Sequence, residues 1–543
     1  MGTPVRGTST KRPSEAGPTA VKASAARKPR PAKADGARKA PRAKTGALQP
    51  RPAATDGAPK ALPAKGTAAE RYRRLPTGAH SLDPEDVRRD QRERLQSALI
   101  ELIAERGYQA VRILDLTKLA RVSRPTFYSL YTDKEELFLA AYDETAERGE
   151  RAIAEAYGSQ GSPPERLRAA MRAFAELAAA EPEAVSLLVL GAFGAGPKAF
   201  ERRNRTLETL EQGIARVRAH GGRDGGGRAA ERKSRSRRPA GRPSIETDLT
   251  VRMVLGGIRE VTAARLRQHR AVELPGLARE LTAWAGCYPV KPPAGLEPPA
   301  APRRRAKPDG DAPVRRASER ALQAEGRLPS GRHDLPRHYI VKNQRERIVD
   351  ATAEIVAEKG LAALTIPEIA RRANVSHQTF YEMYPTKQDA FLGAQKVGLH
   401  QALGIAVAAY ETYTEDWPQG VAAGIGALLD YLASEPAHAH LTVVDTFAAS
   451  PLATEIRDTG LHAFAAYLQP GFHFPAGRTA PEIAPEAVAG GVWQILHHYI
   501  AHDRLAELPC VAPQLAYFVL TPFLGAKEAA QVARKSKTAA ARK

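Results

Sequence analysis

The 543-residue chain has only two cysteines, Cys287 and Cys510, far too few for a disulfide framework. Each sits near the end of an apolar helical stretch, and both read as buried thiols of a cytosolic protein. No apolar run approaches the ~18 residues of a membrane span. The opening stretch MGTPVRGTSTKRPSE has charge but no apolar segment of the kind a secretory signal needs. No nucleophile elbow, phosphate-binding loop or zinc-ligand spacing occurs. The nearest approach to a metal motif is His497, His498 and His502, where only the last two share a helix face. Without a supporting acidic or cysteine cluster these read as ordinary surface or interface histidines. The expectation is therefore a non-enzymatic protein with no cofactor, no metal and no membrane partner.

Acidic and large apolar residues are both scarce at the ends. Residues 1–74 carry 18 Lys/Arg against 4 Asp/Glu, a surplus of 14, and residues 526–543 carry 6 against 1, a surplus of 5. Together these make 19 of the net +21, so the remainder of the chain is near neutral. The basicity belongs to Ala/Pro/Lys/Arg arms, which predict disorder and suit a polyanion.

Between the arms the chain repeats itself. Residues 91–139 align without a gap on 344–392, with about 20 of 49 positions identical. A second match, VLGGIREV at 254–261 and VAGGVWQI at 488–495, has an offset 19 residues shorter. The first copy therefore contains an inserted surface loop, for which the polar, Gly-rich 220–242 is the candidate.

In each copy a first helix shows 3.6-residue apolar spacing (Leu95, Ala98, Leu99, Leu102 and Ile103; Ile348, Ala351, Ile355 and Val356) and stops at Gly107 or Gly360. The short second helix of the second copy starts at Thr365 with Pro367 and Glu368 behind it, a capping box; Arg112 stands at that place in the first copy and predicts a weaker cap. The third helix starts at Ser123 or Ser376, with Val122 and Phe127, or Val375 and Phe380, in hydrophobic-staple positions. Its outward faces are expected to carry Arg124, Thr126, Tyr128 and Tyr131, or His377, Gln378, Thr379, Tyr381 and Tyr384; Lys134 and Lys387 open the next helix. This is a helix-turn-helix suited to a major groove, with hydroxyls and a lysine suited to phosphates.

The two stretches AERGYQAVRILDLTKLARVSRPTFYSLYTDKEELF and AEKGLAALTIPEIARRANVSHQTFYEMYPTKQDAF resemble the DNA-binding domain of TetR-family transcriptional regulators. The resemblance implies phosphate contacts for Tyr128, Lys134, Tyr381, Lys387 and Thr365. It implies base reading by Arg124, Thr126, His377, Gln378 and Thr379. Arg112 departs from the family's threonine but could serve the same phosphate.

About 150 residues of helical pattern follow each helix-turn-helix. Gly256–Gly257 and Gly490–Gly491 lie mid-helix there, where glycine is unfavourable unless another helix comes close. The resemblance makes these the dimer-forming helices of an effector half.

The expected fold is all-α, in two tandem units. The expected division is a disordered basic tail 1–85, helix-turn-helix domains 86–145 and 339–395, effector-like domains 146–290 and 396–525, an unpacked Pro/Arg-rich linker 291–338 and a basic tail 526–543. The 48-residue linker has a coil reach of ~40 Å, enough for half-sites about 34–36 Å apart, so pairing within one chain is expected ahead of a homodimer. The expected partners are double-stranded DNA and a small-molecule effector. The leading function is a cytoplasmic, nucleoid-associated repressor reading an asymmetric operator; the alternative is an architectural DNA-binding protein.

Overall fold

The computed structural model describes residues 72, 83–221, 249–289, 293, 296, 337–446 and 450–540. Among them every regular element is helical. The first repeat runs α1 (Pro84–Arg106), α2 (Ile113–Ala120), α3 (Arg124–Leu130), α4 (Lys134–Tyr157), α5 (Pro163–Ala180), α6 (Pro182–Ser186), α7 (Pro197–Gly221), α8 (Leu249–Arg267) and α9 (Leu274–Ala285). The second runs α10 (Arg337–Lys359), α11 (Ile366–Ala373), α12 (His377–Met383), α13 (Lys387–Tyr410), α14 (Trp417–Ser434), α15 (Pro436–Val443), α16 (Pro451–Ala466), α17 (Ala484–Ala501), α18 (Ala512–Leu524) and α19 (Ala526–Ala540).

Each helix-turn-helix has its own core. In the first, Leu95, Leu99, Leu116, Phe127, Leu137 and Phe138 are fully buried together. In the second, Ile348, Ile355, Ile369, Phe380 and Ala390 do the same. The helix formed by Lys134–Tyr157, or Lys387–Tyr410, begins in the helix-turn-helix and continues into the helical part that follows. In the second copy Ala390, Phe391 and Ala394 belong to the helix-turn-helix core and Ala402 to the central one.

The two repeats meet where α8 crosses α17. The glycine pairs make this crossing possible. A Cβ at Gly491 would lie 2.6 Å from the Met253 carbonyl oxygen, and one at Gly256 would lie 2.5 Å from Gln494 Cβ. One at Gly257 would collide with the Ala487 carbonyl. Backbone touches backbone, as the mid-helix glycines imply. α9 and α18 complete a four-helix bundle: Tyr288 stacks on Phe518 with ring centroids 4.8 Å apart and donates its hydroxyl to the Phe518 carbonyl at 3.1 Å.

Three expectations need correction. The segment from 526 is not wholly a tail, because 526–540 is α19, docked on α18 and α14. Its Ala529, Ala530 and Ala533 are buried. These methyls are small enough to seat a helix that the sequence marks only by basic charge. The linker is not wholly unpacked either: Leu296 is buried in the central core. Nor are both thiols buried, since Cys510 is exposed and Cys287 half-buried. The inserted loop at 220–242 lies outside the described residues except 220–221, as does the linker except 293, 296 and 337–338, the last two in α10, and the tail 1–85 except Tyr72 and 83–85, where α1 begins. That tyrosine packs on the first head and donates its hydroxyl to Glu101 at 3.0 Å.

The crossing predicts opposite signs for two helical Gly→Ala changes. Gly257→Ala should cost at least about 1–3 kcal/mol through overpacking against a carbonyl. Gly404→Ala, with open space around it, should gain about 0.5–1 kcal/mol. Urea unfolding of the two variants compares them directly, and a neutral Gly257→Ala would mean that the crossing is looser than described.

Candidate nucleic-acid interface

The third helix of each head is short and held at its start. Ser123 Oγ accepts from the Thr126 N–H at 3.1 Å, and Ser376 Oγ from the Thr379 N–H at 3.0 Å. Each threonine hydroxyl is also tied to its cap serine, at 2.7 and 2.9 Å. Val122 is buried and Val375 half-buried beside the buried phenylalanines, so the staple is present in both. The preceding turn places Arg121 (φ 53°) and Asn374 (φ 51°) in the left-handed region. Asparagine tolerates this backbone more readily than arginine does.

An arginine on the first helix closes that turn. Arg94 is buried and donates through Nη1 to the Ala120 carbonyl at 2.9 Å, while Asp90 accepts from its Nε at 2.9 Å. Arg347, its counterpart, donates to the Asn374 carbonyl at 3.2 Å. These residues are the last letters of the repeated QRER. They satisfy helix-end carbonyls that no neighbour in sequence reaches. Sequence reasoning missed them; the identical tetrapeptide at 91–94 and 344–347 was the available signal.

The start of the second helix differs from expectation in both copies. Thr365 Oγ1 accepts from the Glu368 N–H at 3.4 Å, but the Glu368 carboxylate turns to Arg371 and Lys359 instead of returning to the cap. In the first copy Asp115 makes the return bond, accepting from the Arg112 N–H at 3.3 Å. Arginine has no side-chain acceptor, so each copy holds one half of a capping box. Thr365 and Arg112 both remain exposed.

The structure divides the expected outward residues. Tyr128 and Tyr381 are the exposed aromatics, at 48% and 56%. The Arg124 guanidinium lies 5.9 Å from the Tyr128 ring centre, a cation–π arrangement beside an exposed phenol. His377 and Gln378 are exposed, and Thr126 and Thr379 half-buried. Tyr131 and Tyr384 are not outward: they are buried against Phe127 and Phe380, at the ring edge of each core. Their hydroxyls accept from Gln96 Nε2 at 3.4 Å and from Arg345 Nε at 3.3 Å. Two further acids were not anticipated. Glu382 accepts from Gln378 Nε2 at 3.1 Å, and Ser129 occupies that position in the first copy. The second head thus presents a carboxylate where the first has a hydroxyl. Asp350, the second, is described below.

The lysines are less free than their phosphate role assumes. Lys134 Nζ donates to the carbonyls of Tyr108 (2.9 Å) and Val111 (2.8 Å) and lies 4.1 Å from the Tyr108 ring centre. Partial burial pushes its pKa down. Lys387 donates to the Leu364 carbonyl at 2.8 Å. Both ammonium groups pin the start of the fourth helix to the loop after the first. With three protons each, Lys134 has one donor left for a phosphate and Lys387 two.

With this geometry in place, the similarity to known proteins is specific. The family model of bacterial regulatory proteins of the tetR type matches residues 95–141 and 348–393. The chain carries two tandem TetR-type helix-turn-helix domains. It is 30% identical over 108 residues to the HTH-type transcriptional activator FasR of Mycolicibacterium smegmatis, a match covering 20% of this chain and 49% of the relative. The chain therefore spans about half the length of that relative. The fatty acid degradation regulator FadR from Bacillus halodurans is similar at 15% identity and a TM-score of 0.30, over 33% of this chain and 94% of that one.

The second TetR-type domain meets the helices that follow it through a buried polar contact. Asp350 on α10 lies 3.2 Å from His438 Nε2 on α15. Burial, with Glu354, Glu435 and Glu346 nearby, raises the Asp350 carboxyl to about 7. Burial also lowers His438. The Asp350 shift favours the folded state below the ordinary carboxylate range, and that contribution is lost as pH rises through about 7. His438 acts oppositely, its contribution being lost as pH falls below its unfolded value. Asp350→Asn should therefore remove the loss of stability between about pH 4 and 7 and leave the histidine dependence visible. Thermal unfolding across that range checks it; an unchanged profile would show that Asp350 ionises normally.

Arg94→Met should destabilise the first head by about 1–3 kcal/mol, the cost of uncapped buried carbonyls and a stranded Asp90. Urea unfolding followed by near-ultraviolet circular dichroism measures it, and a change below about 0.5 kcal/mol would assign the cap no structural weight.

Proposed function

We propose that the protein is a sequence-specific transcriptional regulator, a repressor released by a small-molecule effector, whose two reading heads engage unequal half-sites of an asymmetric operator from within one chain. The observation that carries this reading is the contrast between the recognition helices. The first exposes Arg124, Pro125 and Ser129; the second exposes His377, Gln378 and Glu382 at the same positions. Arginine suits a guanine edge, glutamine suits adenine, and a carboxylate accepts from the cytosine amino group. The shared residues Tyr128, Tyr381, Lys134 and Lys387 suit backbone anchoring in both heads.

Pairing within the chain is supported by charge. Arg265 on α8 donates to Glu486 on α17 through two bonds, at 2.8 and 3.0 Å. The residue of α8 equivalent to Glu486 is Arg252, at the 234-residue offset of the glycine pairs. An α8–α8 pairing of two chains would put Arg265 opposite Arg252, which Glu211 already holds through three bonds, and would cost Arg265 its carboxylate partner. α8 therefore suits α17 better than it suits its own copy. An architectural role remains the second reading because of the 14-charge surplus of residues 1–74. Deleting those residues separates the two: a regulator keeps its preferred site, whereas an architectural protein loses most of its binding.

Selection of bound genomic fragments followed by footprinting should return a site with two different half-sequences. Arg124→Ala should relax preference in one half only, at a cost of about 1–3 kcal/mol. A perfect palindrome with equal protection would contradict the reading. Light scattering at micromolar protein should give one 58.6 kDa species, and a dilution-resistant species of twice that mass would replace the single-chain pair by a homodimer.

A further inference from the structure

The first helices of the two TetR-type domains align residue for residue, Pro84 on Arg337 through Arg92 on Arg345, yet their opening turns differ in charge. α1 starts as a helix favours. Asp83 caps it, accepting from the Glu85 N–H at 3.0 Å; Pro84 takes the first position, and Glu85 and Asp86 lie in the first turn. Residues 84–92 hold three acids and three arginines. Arg88 and Arg92 pair with Glu85 at 3.5 and 3.3 Å, and Arg89 pairs with Asp86. α10 starts differently. Residues 337–345 contain Arg337, His338, Lys342 and Arg345 and no acid. The first carboxylate of α10 is Glu346, 4.0 Å from Lys342 Nζ. Cations at the positive end of a helix dipole are disfavoured. The second repeat therefore gives up helix stability where the first does not, and a local rule broken in one copy alone points to a function.

These basic side chains lie on the face of α10 that packs the domain core. His338, Arg345 and Thr352 follow at seven-residue spacing, as do Lys342, Val349 and Val356. Val349, Thr352 and Val356 are buried, whereas Arg337, His338, Lys342 and Arg345 are exposed. The core ends near residue 347, and the same face continues beyond it as a basic overhang. Two contacts fix where that overhang starts. Arg347 donates to the Asn374 carbonyl just ahead of α12, at 3.2 Å. Arg345 Nε donates to the Tyr384 hydroxyl just after α12, at 3.3 Å, and its guanidinium lies 5.6 Å from that ring centre. Within three residues α10 thus touches the chain at both ends of the recognition helix. From Arg345 back to Arg337 the helix rises a further ~12 Å. A major groove is about 12 Å wide, so with α12 in the groove an overhang of this length reaches the phosphates that border it.

We propose that the opening turns of α10 clamp the DNA backbone beside the second half-site through Arg337, Lys342 and Arg345, a grip that the first helix-turn-helix lacks. Guanidinium and ammonium groups supply charge-assisted bonds to phosphate oxygens and carry no sequence information. In α1 the positions equivalent to His338, Tyr339 and Asn343 are Glu85, Asp86 and Asp90, whose carboxylates repel the same phosphates. The inference rests on the second helix-turn-helix engaging DNA, as proposed above.

The test uses the full chain and a genomic fragment selected by it, with affinity followed by fluorescence anisotropy across a salt series. Arg337→Gln combined with Lys342→Gln should lower the slope of log affinity against log salt by about two, close to 0.9 for each lost phosphate contact. The preferred sequence should not change. The unfolding temperature should not fall, because the change removes cations from the positive end of a helix, so weaker binding cannot be laid to a damaged fold. Lys342→Arg should keep the parent slope. Arg88→Gln combined with Arg89→Gln, the same charge taken from α1, should lower the slope by less than about one unit. Phosphate-ethylation interference should place the lost contacts at the edge of the half-site whose base preference Gln378→Ala relaxes. An unaltered slope in the α10 variant, an equal drop in the α1 variant, or lost contacts at the other half-site would each overturn the proposal. A parent chain that retains no duplex even at low salt would overturn the DNA-binding reading as well; a parent that binds alongside an α10 variant of the same slope overturns this inference alone.

Discussion

Backbone contact between α8 and α17 is the constraint on which the remaining architecture rests. Four glycines let two helices approach until carbonyl oxygens of one lie where side chains of the other would begin. At that separation the flanking residues have no freedom to choose partners. Arg265 faces Glu486, and Arg457 faces Glu260. Buried ion pairs of this kind contribute little to net stability, because desolvation offsets the attraction; their effect is to select one register among alternatives. α9 and α18 then close the bundle through Trp284, Tyr288 and Phe518.

The same closeness brings Glu260 of the first repeat to Arg457, while Gln494, at the corresponding place in the second, accepts from Arg259. Duplication placed a buried arginine on each side, Arg203 and Arg457. The junction therefore treats the two repeats differently although their helices correspond.

The reading heads show the converse pattern, with a common frame beneath different surfaces. Ser123 and Ser376, Phe127 and Phe380, and Arg94 and Arg347 hold the third helix by the same contacts in both copies. What varies lies outside that frame, at Arg124 and His377, Pro125 and Gln378, and Ser129 and Glu382. Side chains that neither cap nor pack can change without disturbing the turn. The lysines belong more to the frame than their position suggests, since carbonyls of the preceding loop take two of the Lys134 donors and one of those of Lys387.

Whatever depends on neighbours within a turn or two was decided by the sequence. The serine caps, the hydrophobic staples, the Gly107 and Gly360 stops and the all-helical repeat are local patterns with local causes. The glycine pairs were legible as a close contact because glycine in mid-helix is unfavourable without one. Tertiary structure decided everything that requires chain segments to meet. Tyr131 and Tyr384 follow the helical spacing of exposed residues, yet they turn inward because the strand of chain after α3 or α12 leaves the helix there and closes over the core. Arg94 and Arg347 reach carbonyls 26 and 27 residues away. Alanines in α19 carry too little apolar signal to announce a docked helix, and only the groove they fill makes them a core. Glu260 and Arg457 are ordinary letters 197 positions apart. Coulomb energy depends on distance and burial, and neither exists until the chain has folded.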